Sequence, residues 1–174
     1  DLSAIAKGFA ADLVVAGLRE AGISGALVEV GGELHGYGRK PDGTRWRVLV
    51  EAGPEEDDDS LEPRVLELDG IAVATSGDRW HHYTRRDEHG DERRYTHTID
   101  PRTGWPIADT LAAVTVFDRS CMRADGLATA LSALGAGEGY AFASARDIAA
   151  RFLVREAGNI AERITPAYRA MAAH

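Results

Sequence analysis

Tyr95-Thr96-His97-Thr98-Ile99-Asp100-Pro101-Arg102-Thr103-Gly104 is a β-favouring run that breaks into a turn, and the reading of the whole chain works outward from it. Pro101 presets φ at the second turn position, the Asp100 carboxylate can bond back onto the turn, and Gly104 accepts a positive φ. Side chains alternate along a strand, so His97 and Ile99 are expected on one face, with Asp100 at the strand end. An imidazole that titrates near neutral pH, beside a carboxylate and a rigid turn, suits proton transfer. A structural histidine next to an Asp-Pro turn fits the same ten residues, so the neighbouring segments have to decide.

Downstream, Ala112 to Phe117 reads as a strand, and Ser120 opens a helix that runs through Leu134 and closes at Gly135. Leu127, Leu131 and Leu134 form its apolar stripe. Asp125 and Thr129 are four residues apart, so a carboxylate and a hydroxyl share one face, with the small residues Gly126, Ala128 and Ala130 around them. Such a pair fits a plain polar helix face, and it also fits a hard cation that takes one or two protein oxygens and completes its shell with phosphate and water. Tyr140 to Ala145 reads as a short helix, and Ala150 to Glu156 with Ile160 to Ile164 as a closing hairpin.

Upstream, Asp87 to Glu92 is a polar hairpin turn into the Tyr95 strand. His81 and His82 are adjacent and point apart on a strand, which argues against a metal pair. Thr75-Ser76-Gly77-Asp78 closes the strand Gly70 to Thr75; it is a turn that can also offer hydroxyls and N–H groups to phosphate oxygens. Arg64 to Leu68 is a strand joined to that one at Asp69-Gly70, and Thr44 to Ala52 is another. Gly25 to Leu34 reads as a strand ending in the pair Gly31-Gly32, where a tight bend or close approach of a ligand is possible. The first 21 residues form a helix with Ile5, Phe9, Leu13 and Leu18 as its apolar stripe, Ser3 as N-cap and Gly22 as the stop. Lys7-Gly8 lies one turn inside its amino-terminal end, where a solvated lysine and an anion site are both satisfied by the pattern.

A chain of 174 residues suffices for one domain with a real core. The formal net charge of -8 argues against nucleic-acid binding, although part of the excess is the local run Glu55-Glu56-Asp57-Asp58-Asp59, read as a solvated loop. A single cysteine, Cys121, excludes an internal disulfide framework and a cysteine-cluster metal site.

Five segments, DLSAIAKG, EVGGEL, ATSGD, THTIDPRTG and ADGLATAL, occur in the order and approximate spacing of one family. The chain resembles the ApbE family, the FAD:protein FMN transferases, over essentially its whole length. The resemblance implies an α+β fold, T-fold-like, with antiparallel sheets packed against helices, in one domain over residues 1–174. It implies Mg²⁺-dependent transfer of the FMN half of FAD to a serine or threonine hydroxyl of a target protein, with release of AMP. The alternatives are hydrolysis of FAD to FMN and AMP, and a non-catalytic flavin-binding module. On the family's motif, the metal ligands fall on Asp125, Thr129 and the backbone carbonyl of Ala4. Lys7 falls near the pyrophosphate, and His97 on the histidine that activates the acceptor hydroxyl, a role Asp125 could share. Gly31, Gly32, Thr75, Ser76, Gly77 and Asp78 fall on positions that line the nucleotide site. Ser3 departs from the family's usual glycine. The resemblance also implies that the chain is the carboxy-terminal part of a larger protein. That protein would be lipid-anchored or exported to the outer side of the cytoplasmic membrane or the periplasm, and its targets would be subunits of redox complexes.

Overall fold

Residues 2–50, 64–77, 82–86, 90–156 and 159–172 are described by a computed structural model; the acidic run at 55–59, Asp78 and His81 fall outside them. In chain order the elements are α1 (Ser3–Glu20), β1 (Ala26–Val30), β2 (Glu33–Tyr37), β3 (Trp46–Val50), β4 (Arg64–Leu68), β5 (Ile71–Gly77), β6 (His82–Arg86) and β7 (Glu92–Thr96). They continue with β8 (Leu111–Asp118), α2 (Cys121–Ala145), β9 (Ala149–Glu156), β10 (Asn159–Ile164) and α3 (Pro166–Ala172). Six strands form one antiparallel sheet in the order β1-β2-β5-β8-β9-β10, while β3-β4 and β6-β7 are separate two-stranded pairs. The α+β class expected from the sequence is the one observed.

Strand alternation decides what each face of the large sheet buries. Ala74, Val114, Val116, Ala150 and Phe152 meet Ala124, Ala128 and Leu131 of α2. Val73 and Phe117 point the other way, into a second cluster with Val48, Val50, Leu68 and Tyr168 from β3, β4 and α3. Full burial of a side chain such as Phe152 contributes about 1.5–3 kcal/mol. The sheet is thus covered by α1 and α2 on one face and by β3-β4 with α3 on the other.

Several local expectations change. The buried face of α1 is Gly8, Ala11 and Val15, whereas Phe9 and Leu13 are 54% and 61% exposed. The reason is a close helix contact: a Cβ at Gly8 would stand 2.3 Å from the Cys121 carbonyl oxygen, so only small residues fit the seam. Ser3 is the first helical residue rather than the cap; Leu2 holds the cap position, with no side-chain capping bond. At the other end the Gly22 stop is as expected. Gly22 has φ +81°, its N–H donates to Arg19 O, and Ile23 N–H donates to Leu18 O, a Schellman closure.

The tight bend expected at Gly31 and Gly32 is present, and it starts a second strand at Glu33 inside the stretch read as one. With φ of +57° and +94° the glycines make the two-residue turn between β1 and β2, and Val30 faces Glu33 across it. β4 and β5 follow one another across Asp69-Gly70 yet belong to different sheets. Ser120 caps α2 by accepting the Arg123 N–H, and Gly135 (φ +81°) interrupts the helix where the sequence placed its end, after which helix resumes to Ala145.

Candidate functional site

The first turns of α1 and α2 meet with the β1–β2 turn and the end of β5, and each contributes a polar group. Asp125 is 4% exposed, and its Oδ2 accepts the Gly8 N–H at 2.9 Å. In a regular helix the Gly8 N–H is directed at the Ala4 carbonyl, four residues earlier on α1. Lys7 Nζ pairs with Glu33 Oε1, and the second Glu33 oxygen accepts the Thr75 N–H at 3.2 Å. Gly31 lies over the lysine stem: a Cβ there would touch Lys7 Cδ at 3.0 Å. Lys7 is therefore not a freely solvated side chain.

Glu33 is 2% exposed, and its pKa is raised. Burial is the main cause, and the nearby Asp125 charge adds to it against the lowering effect of Lys7 and the Thr75 N–H. Two buried carboxylates thus lie close enough to feel one another's charge, and one of them, Glu33, is paired with the half-exposed Lys7. Thr129 is half-buried one helical turn after Asp125. The small residues around that pair do not leave open room: Gly126 lies against Ile5 Cγ2, and Ala128 is part of the core.

A second group lies further along. His97 lines a cleft with Ser76, Gly77, Thr96, Thr98, Ile107, Leu111 and Ser132. It is exposed and sits just past β7, which ends at Thr96. His97 and Ile99 are both exposed and alternate with buried Thr96 and half-buried Thr98, as strand spacing predicts, although the regular strand stops at Thr96: Ile99 bridges Pro106, with Ile107 N–H donating to Thr98 O and Asp100 N–H to Trp105 O, and Thr96 Oγ1 donates to Thr98 O. The Asp100 carboxylate is taken up within the turn. Arg102 holds it, through its backbone N–H at 2.9 Å and its guanidinium at 3.0 Å, and carries the turn onto α2 by reaching Glu138 Oε2 at 3.0 Å. The Arg102 interaction in turn keeps Asp100 below the usual carboxylate range.

The end of β5 joins the two groups, Thr75 contacting the first and Ser76 and Gly77 the second. Along α2 the Asp125, Thr129 and Ser132 side chains follow one face over about 10 Å. The residues singled out from the sequence fall into two adjoining groups in the structure, Lys7, Gly31, Thr75 and Asp125 in one and Ser76, Gly77 and His97 in the other. Sequence reasoning passed over Glu33 and Ser132. A lone acidic residue directly after a two-glycine turn was the available signal for Glu33. Ser132 carried none, being one small polar residue on an alanine-rich helix.

The donors fit a hard cation rather than a soft one. Among the described residues no three His, Cys, Asp or Glu side chains converge as a metal cage. Asp125 is nonetheless a buried carboxylate whose hydrogen bond from Gly8 is neutral, with a second carboxylate nearby. Burying such a charge is costly unless a cation offsets it, and Thr129 and the Ala4 carbonyl supply only oxygens.

Comparison with known proteins agrees with the motif reading. The ApbE family model matches residues 1–152. The chain is 42% identical over 155 residues to a Vibrio cholerae protein named FAD:protein FMN transferase, covering 89% of this chain and 44% of that one. A Haemophilus influenzae protein of the same name is 32% identical over 169 residues, 97% of this chain and 47% of its own length. The crystal structure of the apo form of Pseudomonas stutzeri flavinyl transferase ApbE superposes with a TM-score of 0.87 at 43% identity, over 100% of this chain and 52% of that one. The chain spans about half the length of these relatives. On a family-model match and levels of identity of this size, the chain belongs to the ApbE family.

Proposed function

We propose that the protein to which this chain belongs moves the FMN moiety of FAD onto a serine or threonine hydroxyl of a target protein and releases AMP, with Mg²⁺ as cofactor. The observation that carries this reading is the buried Asp125 carboxylate, held by a single backbone amide beside Lys7 and Glu33, with Thr129 one turn away. A divalent ion bound there would offset charge developing on phosphoryl oxygens.

The chain's own residues would divide the work as follows. Asp125, Thr129 and the Ala4 carbonyl would hold the ion. Lys7 has three ammonium donors; Glu33 takes one, and the others can meet a pyrophosphate oxygen. Gly31 and Gly32, lacking Cβ atoms, and the Thr75-Ser76-Gly77 strand end would let the dinucleotide approach the backbone. His97 at the cleft mouth would accept the acceptor's proton as its oxygen bonds to the phosphorus of the FMN half. The bond to the AMP half breaks, and its electron pair leaves on AMP. General-base help of this kind is worth roughly 100- to 10,000-fold. Asp78 lies outside the described residues. The site is proposed to work on the outer face of the cytoplasmic membrane or in the periplasm, on a redox-complex subunit.

Because His97 is exposed, water can reach the place of the acceptor, and hydrolysis of FAD to FMN and AMP is the second reading. Incubation of the full-length protein with FAD, Mg²⁺ and a candidate acceptor, followed by mass spectrometry, tests both. Acceptor heavier by one FMN supports transfer, FMN and AMP without acceptor labelling support hydrolysis, and unconsumed FAD refutes both.

A further inference from the structure

The contact between α1 and α2 is reciprocal. Asp125 on α2 accepts the Gly8 N–H of α1 at 2.9 Å, and Asp12 on α1 accepts the Cys121 N–H of α2 at 2.9 Å. Gly8 and Asp12 are four residues apart on one helix, and Cys121 and Asp125 four apart on the other, so the two bonds lie side by side across an antiparallel seam. At Gly8 the helices approach so closely that a Cβ would stand 2.3 Å from the Cys121 carbonyl oxygen. Asp12 does more than match its counterpart. Its Oδ2 accepts Ser120 Oγ–H at 2.8 Å and Met122 N–H at 3.1 Å, so a carboxylate from α1 satisfies amides at the start of α2. Its Oδ1 also accepts from His35 Nδ1 at 2.7 Å, and His35 is a buried residue of β2, two positions after Glu33.

We propose that Asp12 is a positioning residue for the cation site: it fixes the start of α2 against α1 and β2, and so sets where Asp125 stands relative to Ala4, Lys7 and Glu33. The inference rests on the functional reading above and adds to it a residue that touches neither ion nor nucleotide. Asp12, on α1, accepts four hydrogen bonds from two further elements, one from β2 and three from the capped start of α2, which places it at a junction rather than on a solvated helix face. A carboxylate that accepts from two amides, a hydroxyl and an imidazole is hard to replace. Alanine removes every bond, and asparagine keeps one acceptor oxygen but turns N–H donors toward groups that also donate.

The test uses the full-length protein with Mn²⁺ as a spectroscopic stand-in for Mg²⁺. Mn²⁺ binding is measured by electron paramagnetic resonance, and the native-state alkylation rate of Cys121 by mass spectrometry. Asp12→Ala is expected to weaken Mn²⁺ at least tenfold. Asp12→Asn, isosteric and the working variant where alanine fails to fold, is expected to weaken it about threefold or more and to speed Cys121 labelling. Folded Asp12→Asn protein with parental Mn²⁺ affinity and parental Cys121 labelling overturns the proposal. Parent protein that binds no Mn²⁺ refutes the functional reading instead; the seam is then judged on labelling alone, with faster labelling in Asp12→Asn supporting it and an unchanged rate ending it.

Discussion

Gly8→Ala probes the site through its tightest contact. The added Cβ would stand 2.3 Å from the Cys121 carbonyl oxygen and 2.8 Å from Met122 Cα, both backbone atoms that no rotamer change can move. Ordinary van der Waals contact begins near 3.4 Å, so α1 and α2 must part by about 1 Å. The Gly8 N–H to Asp125 Oδ2 bond, now 2.9 Å, would stretch by a similar amount and cease to be a hydrogen bond. Overpacking costs about 1–3 kcal/mol. Loss of an amide bond to a buried carboxylate costs about 1.5–3 kcal/mol more, while the better helix propensity of alanine offsets about 1 kcal/mol. The net destabilisation is about 1.5–5 kcal/mol, which for a domain of this size lowers Tm by roughly 3–20 °C.

The chain carries its own reporter of that seam, because its single cysteine lies in it. Burial, with help from the Asp12, Glu33 and Asp125 charges, pushes the Cys121 thiol up to about 12, so at pH 8 roughly one molecule in 10,000 has the reactive thiolate. Parent protein should therefore resist alkylation by iodoacetamide under native conditions. Gly8→Ala protein should label at least tenfold faster and melt lower. A variant that melts within 1 °C of the parent, as read by circular dichroism, with Cys121 equally protected, would refute the account of the helix seam.

Asp125→Asn keeps the acceptor for Gly8 and removes one of the two buried carboxylates, so without metal it should be at least as stable as the parent. It should also lose the Mg²⁺-induced rise in Tm, worth about 2.7 kcal/mol at a hundredfold excess over Kd; a Tm rise equal to the parent's removes Asp125 from the ion site. Stability should pass through a maximum in mild acid. The raised pKa of Glu33 means that the folded state gains protons first, so this group stabilises as pH falls from its raised value toward 4.5. Asp12 and Glu162 act oppositely. Burial raises both, but the amides, Ser120 and His35 at Asp12 and the Arg64 and Arg151 guanidinium groups at Glu162 outweigh it, so their contribution is present above the ordinary values of 3.8 and 4.5 and is lost as pH falls through the lowered ones. Urea unfolding from pH 7 to pH 3 checks this: Glu33→Gln should flatten the upper limb and Asp12→Asn the lower, and unchanged limbs in both variants contradict the assignment. Arg102→Ala should change stability little, since the guanidinium and Glu138 are exposed and such pairs are screened by water. It should nonetheless cut FMN transfer about tenfold by releasing the turn after His97 from α2, without rescue by lysine, which lacks the guanidinium fork; parental turnover would show that the turn needs no such anchor.

The α+β class, most strands, the interruption at Gly135 and the Schellman stop at Gly22 were legible because each depends on a local rule: alternation, a β-branched run, or a glycine at positive φ. What was not legible depends on which element lies opposite. A helix read alone offers Phe9 and Leu13 to the core; the helix as packed offers Gly8, Ala11 and Val15, because α2 approaches to within backbone contact. The same applies to the site. Asp125, Thr129, Lys7 and His97 stood out as residue types at telling positions, but Glu33, which pairs with Lys7, and Asp12, which holds the start of α2, were invisible as such. Neither has a partner nearby in sequence: Glu33 meets a lysine 26 residues away, and Asp12 meets amides 109 and 110 residues away. Periodicity holds no information about contacts at that separation. It follows that the candidate site residues of this chain can be named from motifs, while the contacts that set their geometry emerge only when two helices that the sequence leaves a hundred residues apart are laid against each other.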